Sequence, residues 1–155
     1  MIFYYLNTLK QFIMKFSCSV SINQHIDKVV DIFSNPDNLK YFQEGFISKE
    51  NLSGVSGEKG ATSKMTYEKL ELIETIIKNN LPDEFMALYE HKHMTNTMKV
   101  NFIQLTPNKT QYNSEIEYTK FNGLLIKIIA KLFPGMFKKQ VLKWMHLFKA
   151  YAEKQ

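Results

Sequence analysis

The sequence contains no arginine, because all 20 of its basic side chains are lysines. Lysine lacks the planar guanidinium that binds carboxylate, phosphate or guanine through two parallel hydrogen bonds. This absence argues against a sequence-specific DNA-binding protein. The chain also has a single cysteine, which excludes an internal disulfide and favours a cytoplasmic location.

Long apolar runs are absent as well. No run reaches the roughly 18 residues of a membrane-spanning helix, since the apolar segment 124–133 is short and contains Lys127 and Lys131. The N-terminus has no charge before its apolar run and no small-residue cleavage site, so it does not resemble a signal peptide. We predict that residues 1–13 are an N-terminal extension or a mis-called start, followed by a single domain over residues 14–155.

The positive charge of the chain is concentrated at one end. Residues 1–122 carry 13 lysines and 14 acidic residues, whereas residues 123–155 carry seven lysines and one glutamate. A basic amphipathic region of this kind predicts weak contact with an acidic membrane or an acidic partner, the alternative being a solvated helix face. The lysines concerned are Lys127, Lys131, Lys138, Lys139, Lys143 and Lys149.

Most of the chain between residues 14 and 121 shows strand patterns. In the last of these, Tyr112, Ser114, Ile116 and Tyr118 alternate with polar residues, which is typical of a sheet with one wet face. Short turns between neighbouring strands predict an antiparallel meander. The predicted strands are 16–22, 46–52, 61–68, 70–78, 85–92, 97–105 and 111–121, with two short helices after the first.

The chain ends in a helical pattern. Apolar residues recur at i, i+4, i+7, i+8, i+11 and i+15, and a break is expected at Pro134-Gly135. A helix from residue 134 to 154 is roughly 30 Å long, enough to cross a sheet. The apolar positions are Phe137, Val141, Trp144, Met145, Phe148 and Ala152. The predicted fold is therefore α+β, with a strongly curved antiparallel sheet of about seven strands wrapped around the long C-terminal helix.

Three segments resemble the SRPBCC superfamily, the START-related, birch-pollen-allergen-like group of helix-grip proteins. The first is the strand end Ile22 with the following helix, the break Asn35-Pro36-Asp37-Asn38-Leu39 and the aromatic pair Tyr41-Phe42. The others are the hairpin over residues 101–121 and the helix over residues 134–153. The resemblance covers roughly residues 14–154 and implies a helix-grip fold. It implies no shared catalytic motif, because the group includes lipid carriers, polyketide cyclases and dehydratases, coenzyme-Q-binding proteins and hormone receptors.

A sheet that curls around a helix leaves space for a small molecule between the two. We predict that this space binds a hydrophobic or amphipathic small molecule or lipid, without a cofactor, a metal or a catalytic residue. One alternative is a cyclase- or dehydratase-like enzyme that acts on a polyketide- or isoprenoid-type substrate and uses Glu74, His91 or a tyrosine as general acid or base. Another is a membrane-associated assembly factor of the coenzyme-Q-binding type. The predicted ligand-binding residues are Met65, Tyr67, Glu74, Tyr89, Met98, Phe102, Tyr112, Ile116, Tyr118, Phe133, Phe137, Val141 and Met145.

Four residues are candidates for acid–base chemistry, metal binding or nucleophilic catalysis. Glu74 interrupts an apolar strand and is either an acid, base or ligand contact inside the cavity or an exposed partner of a cross-strand lysine. His91 and His93 would share one side of a strand, as two metal ligands do, but no third ligand follows from spacing and a solvated pair is favoured. Cys18 has no neighbouring base in the pattern, so a core position is favoured over a nucleophile.

Overall fold

The computed structural model describes residues 13–155. Seven strands form one antiparallel sheet in the spatial order β1-β7-β6-β5-β4-β3-β2. Its strands are β1 (Met14–Ile22), β2 (Phe46–Ser53), β3 (Thr62–Tyr67), β4 (Glu71–Asn80), β5 (Glu84–His91), β6 (Met94–Thr106) and β7 (Lys109–Phe121). The predicted α+β fold with seven strands is confirmed. The predicted extension over residues 1–13 lies, apart from Ile13, outside the described residues.

Four α-helices accompany the sheet within residues 13–155. They are α1 (Ile26–Ser34), α2 (Leu39–Phe42), α3 (Leu124–Leu132) and α4 (Gly135–Ala152), and a short 3₁₀ helix (Pro36–Asn38) joins α1 to α2. The break between α3 and α4 falls at Phe133 and Pro134, because proline disfavours helical geometry in the residue before it. No helix within residues 13–155 is long and apolar enough to cross a membrane.

The main core lies between the sheet and the C-terminal half of α4. Phe33 of α1 occupies its centre, with ring centroids 5.3 Å from Phe102, 5.6 Å from Phe85 and 6.1 Å from Phe148. These edge-to-face contacts fill the space where α1 and α4 meet the sheet. Phe102 and Phe148 are buried, and truncation of a buried ring to alanine costs on the order of 3–5 kcal/mol.

Hydrogen bonds fasten the end of α4 to the end of β1 and to the loop that follows it. Lys149 Nζ donates to the carbonyl of Ser21 at 2.6 Å, and the Glu153 carboxylate accepts from the backbone N–H of Asn23 at 2.6 Å. All fully buried residues of α4, namely Met145, Phe148 and Ala152, lie in this C-terminal half. The helix is therefore anchored at its C-terminal end, while its N-terminal half stands over the sheet without a buried residue.

A second, smaller core cluster lies at the other end of the sheet. Met14, Phe121 and Ala130 are its buried residues, and Ile126 and Phe137 pack against it. This cluster holds α3 and the start of α4 against β1 and β7. The two clusters leave a space between them, and that space is the candidate site.

Candidate functional site: a cavity between the sheet and the C-terminal helix

A cavity of about 920 Å³ lies under the N-terminal half of α4. Its floor is the inner face of β3 to β7, and its roof is formed by α3 and α4. One end is closed by aromatic residues of the main core, among them Phe33, Phe42 and Phe148, and the other by Ile126, Ile129 and Phe137. The volume is within the range of about 300–1,000 Å³ that small-molecule sites occupy.

The alternation of β7 supplies one strip of the floor. Tyr112, Ser114, Ile116 and Tyr118 all line the cavity, as the period-two pattern predicts. Burial raises the pKa of Tyr118 to about 12, and burial also raises the pKa of Tyr112 well above its usual value. Both phenols therefore stay neutral and can donate a hydrogen bond to a ligand at physiological pH.

A polar cluster interrupts this apolar floor on β4 and β5. Glu74 and Tyr89 are directly opposite in the antiparallel register, and the Tyr89 hydroxyl donates to Glu74 Oε2 at 2.9 Å. Lys49 Nζ of β2 contacts the other carboxylate oxygen, Oε1, at 2.5 Å. Because the Glu74 side chain is 4% exposed and that of Lys49 is 19% exposed, this is a largely buried ion pair.

The inward position of Lys49 results from a β-bulge. Phe46 pairs with Tyr67 and Ser48 with Thr66, which leaves Ile47 as an extra residue on β2. The extra residue shifts the alternation by one, so that Lys49 faces the same side as Phe46. Simple alternation from Phe46 places this lysine on the outer face, and the sequence carries no signal for the bulge.

Tyr67 forms a second polar contact near the mouth of the cavity. Its hydroxyl donates to Gln43 Oε1 at 2.5 Å, and its ring is stacked with that of Trp144 of α4, with centroids 6.2 Å apart. Burial, followed by the charge of Glu74, raises the pKa of Tyr67, and the same two effects raise the pKa of Tyr89 well above its ordinary value. These phenols remain hydrogen-bond donors rather than phenolates.

The structure brings eleven of the thirteen predicted ligand-binding residues to the cavity wall; that they bind a ligand stays a prediction. Phe102 and Phe133 are not on the wall. Phe102 is buried in the main core against Phe33 and Tyr112, because α1 covers the sheet at that point. Phe133 follows the last turn of α3 and is 57% exposed, since the break before Pro134 directs it outward. The eleven are Met65, Tyr67, Glu74, Tyr89, Met98, Tyr112, Ile116, Tyr118, Phe137, Val141 and Met145.

Several wall residues were not predicted. Lys49 reaches the wall only because of the bulge, which the sequence does not reveal. Gln43 and Glu44 come from the loop after α2, whose direction no local pattern indicates. His91, by contrast, is an acid or base candidate of the predicted enzyme alternative, and it does line the cavity, where burial and then the charges of its neighbours His93 and Lys92 lower its pKa. Its imidazole is therefore a hydrogen-bonding group that is neutral near pH 7.

The structure gives no support for a metal site at His91 and His93 or for Cys18 as a nucleophile. The rings of His91 and His93 lie 5.5 Å apart, and no group of three or more His, Cys, Asp or Glu that could hold a metal occurs among residues 13–155. Cys18 is buried in the main core, where burial raises the pKa of its thiol. It therefore packs as a small apolar residue.

Comparison with family models and with curated proteins gives no match to this chain. Solved structures do match it. Norcoclaurine synthase from Thalictrum flavum, in complex with dopamine and hydroxybenzaldehyde, has a TM-score of 0.68 at 11% identity, over 93% of this chain and 88% of that chain. An aromatase/cyclase from Streptomyces sp. R1128 has a TM-score of 0.75 at 7% identity, over 92% of this chain and 95% of that chain.

A conserved protein from Geobacillus kaustophilus has a TM-score of 0.72 at 14% identity, over 91% of this chain and 96% of that chain. At identities of 7–14%, these likenesses establish the fold alone. They agree with the strand order, the curved antiparallel sheet and the long C-terminal helix described above. The resemblance found in the sequence is thus confirmed at the level of the fold, which is the helix-grip fold.

Proposed function

We propose that this protein binds a hydrophobic or amphipathic small molecule, such as a lipid, in the cavity between the sheet and α4. The observation that carries the proposal is the cavity of about 920 Å³, whose walls are mainly apolar and aromatic and include a buried polar cluster of Lys49, Glu74 and Tyr89. Burial of apolar ligand surface supplies affinity at roughly 25 cal/mol per Å² before the costs of binding are subtracted. A few fixed polar groups then set the orientation.

The distribution of wall residues supports one orientation of the ligand. Lys49, Glu74 and Tyr89 form the polar cluster on β2, β4 and β5. The part of the wall that α3 forms is apolar and consists of Ile126 and Ile129. An amphipathic ligand therefore places its polar group at the Lys49–Glu74–Tyr89 cluster and its apolar part toward α3.

The first test is native mass spectrometry of the protein purified without added ligand. We expect a bound species of several hundred daltons with apolar character, as a lipid or an isoprenoid has. A second measurement uses displacement of a fluorescent apolar probe. Val141→Trp, on the cavity wall, is expected to weaken probe binding by at least roughly tenfold, because the indole occupies ligand volume.

The matched control is His146→Trp, an exposed position on the same helix that does not line the cavity. It should leave probe binding unchanged. Urea denaturation of both variants separates loss of binding from loss of stability. If Val141→Trp lowers stability and probe binding in the same proportion, or if neither variant changes probe binding, the region is a packed core and the proposal is wrong.

A second candidate function is that of a cyclase- or dehydratase-like enzyme. The observation in its favour is Glu74, a carboxylate on the cavity wall within hydrogen-bond distance of a phenol. A carboxylate and a neutral phenol in one cavity can accept and donate a proton on a bound substrate. This candidate is tested with the ligand recovered by mass spectrometry. Loss of water or ring closure with the wild type, but not with Glu74→Gln, supports catalysis, and an unchanged ligand contradicts it.

A further inference from the structure

The outer face of α3 is apolar although it faces solvent. Leu124, Leu125, Ile128 and Leu132 are between 44% and 75% exposed. At about 3.6 residues per turn these four positions fall within an arc of about 100°, and therefore form one continuous stripe. A surface helix of a globular domain ordinarily carries polar residues on this side. The helix thus presents an apolar stripe without a partner in residues 13–155.

The stripe continues past the end of α3. Phe133 is 57% exposed and Met136, in the first turn of α4, is 59% exposed. We name the six residues the α3 face: Leu124, Leu125, Ile128, Leu132, Phe133 and Met136. A contiguous exposed apolar patch of this kind marks an interaction site more often than an isolated exposed leucine does.

Lysines surround the α3 face. Lys127 and Lys131 border the stripe on α3, and Lys138 and Lys139 follow Met136 in α4; all four are exposed. No salt bridge of these four is found within residues 13–155, whereas Lys143 and Lys149 have carboxylate partners. Residues 123–152 contain no acidic residue. An apolar stripe bordered by free positive charges is complementary to a surface that is both apolar and negatively charged.

We propose that the α3 face is a docking site for an anionic lipid bilayer, on which α3 lies in the interface with its leucines among the acyl chains. An interfacial helix of this type combines an apolar face with lysines that contact acidic headgroups. The proposal does not depend on what the cavity holds.

A second copy of the chain fits this surface less well. A two-fold interface joins the same patch on both subunits. It would bring Lys127 and Lys131 of one copy close to the same lysines of the other, and like charges at an interface oppose association. A bilayer containing acidic lipid supplies the missing negative charge instead.

The position of the cavity agrees with this docking site. Ile126, Ile129 and Phe137 line the cavity from the inner side of the same two helices, and Met136 both lines the cavity and is exposed. A bilayer bound to the α3 face therefore lies next to the α3 end of the cavity. An apolar molecule can pass between the bilayer and the cavity there with little exposure to water.

The test is flotation of the full chain with two kinds of vesicles, one of phosphatidylcholine alone and one containing about 30% phosphatidylserine. We expect binding to the acidic vesicles, weaker binding at moderate than at low salt, and little binding to the neutral ones. Lys127→Gln/Lys131→Gln is expected to lower the affinity roughly 25-fold, at about fivefold for each lysine. Leu124→Ser/Ile128→Ser/Leu132→Ser should lower it at least roughly tenfold.

Matched controls come from surfaces remote from α3. Ile47→Ser/Leu52→Ser replaces two exposed apolar residues of β2, at the opposite edge of the sheet from β1, and Lys28→Gln/Lys59→Gln removes two exposed lysines. Neither should change flotation, and thermal melting checks that every variant is folded.

Two outcomes overturn the proposal. One is that the wild-type chain does not bind acidic vesicles at low salt; if sedimentation then shows a dimer that the triple serine variant lacks, the α3 face is an interface between copies. The other is that the triple serine variant binds as well as the wild type, which means that the contact is electrostatic and does not involve the apolar stripe.

Discussion

Replacing Lys49 with methionine tests whether Lys49 and Glu74 form a coupled buried ion pair. Methionine keeps the length and apolar stem of the side chain but leaves the Glu74 carboxylate without its ammonium partner at 2.5 Å. Breaking a buried pair by removing one partner costs about 3–5 kcal/mol, because an uncompensated charge remains inside. Since Glu74 keeps the hydrogen bond from Tyr89, we expect the lower end, a loss of about 3 kcal/mol in the free energy of unfolding.

Urea denaturation at pH 7 measures this loss, with an m-value equal to that of the wild type. The matched variant is Lys49→Met/Glu74→Gln, in which the glutamine amide oxygen still accepts from the Tyr89 hydroxyl and no charge is buried. We expect it to recover most of the stability, to within about 1 kcal/mol of the wild type. A loss below about 1 kcal/mol for Lys49→Met, or a double variant as unstable as the sum of the two single variants, would refute the assignment of a coupled buried pair.

Three further predictions concern other parts of the structure. Because burial raises the pKa of Tyr118 from 10.0 to about 12, the folded state keeps a proton that the unfolded chain loses above pH 10. Stability therefore falls as the pH rises through this window, and Tyr118→Phe should reduce the fall between pH 10 and 11.5 by about 1–2 kcal/mol in urea titrations; an unchanged fall contradicts this.

Phe148→Ala should cost about 3–5 kcal/mol and Phe133→Ala less than about 0.5, because Phe148 is 2% exposed and Phe133 is 57% exposed; equal costs would contradict the core assignment. Gly54→Ala should lower Tm by at least about 3 °C, since its φ is +75° and the new Cβ would lie 2.9 Å from the Ala61 Cα. An unchanged melting temperature would show that the turn relaxes freely.

The parts of the fold that follow from local periodicity could be predicted. The alternation over residues 112–118 identified the inner face of β7, and the helical spacing from Phe137 to Ala152 identified the inner face of α4. Strand ends were less accurate. β6 begins at Met94 rather than at residue 97, because pairing with β7 extends the ladder through polar residues to Phe121. Such pairing is a tertiary effect that a local pattern does not contain.

The candidate site was predictable where one strand or helix contributes alone. Residues such as Ile116 and Val141 lie on the cavity wall because their own element places them there. Phe102 also lies on the inner face of its strand, but it does not reach the cavity because Phe33 of α1 covers it. The inward direction of Lys49 follows from a β-bulge. That bulge depends on how β2 pairs with β3 rather than on the residues of β2 alone. Of the Lys49–Glu74–Tyr89 cluster, only Glu74 and Tyr89 could therefore be predicted from the sequence.

The two irregular positions of β2 have a consequence for behaviour at high concentration. β2 is an edge of the sheet, and its pairing with β3 shifts at Ile47 and again at Leu52. Each extra residue interrupts the row of backbone N–H and C=O groups that a strand from another molecule would need for continuous pairing. Although Ile47 and Leu52 are exposed apolar residues, the edge on which they lie is a poor template for intermolecular β-pairing. The same irregularity that directs Lys49 into the cavity thus also protects this edge of the sheet from pairing with other molecules.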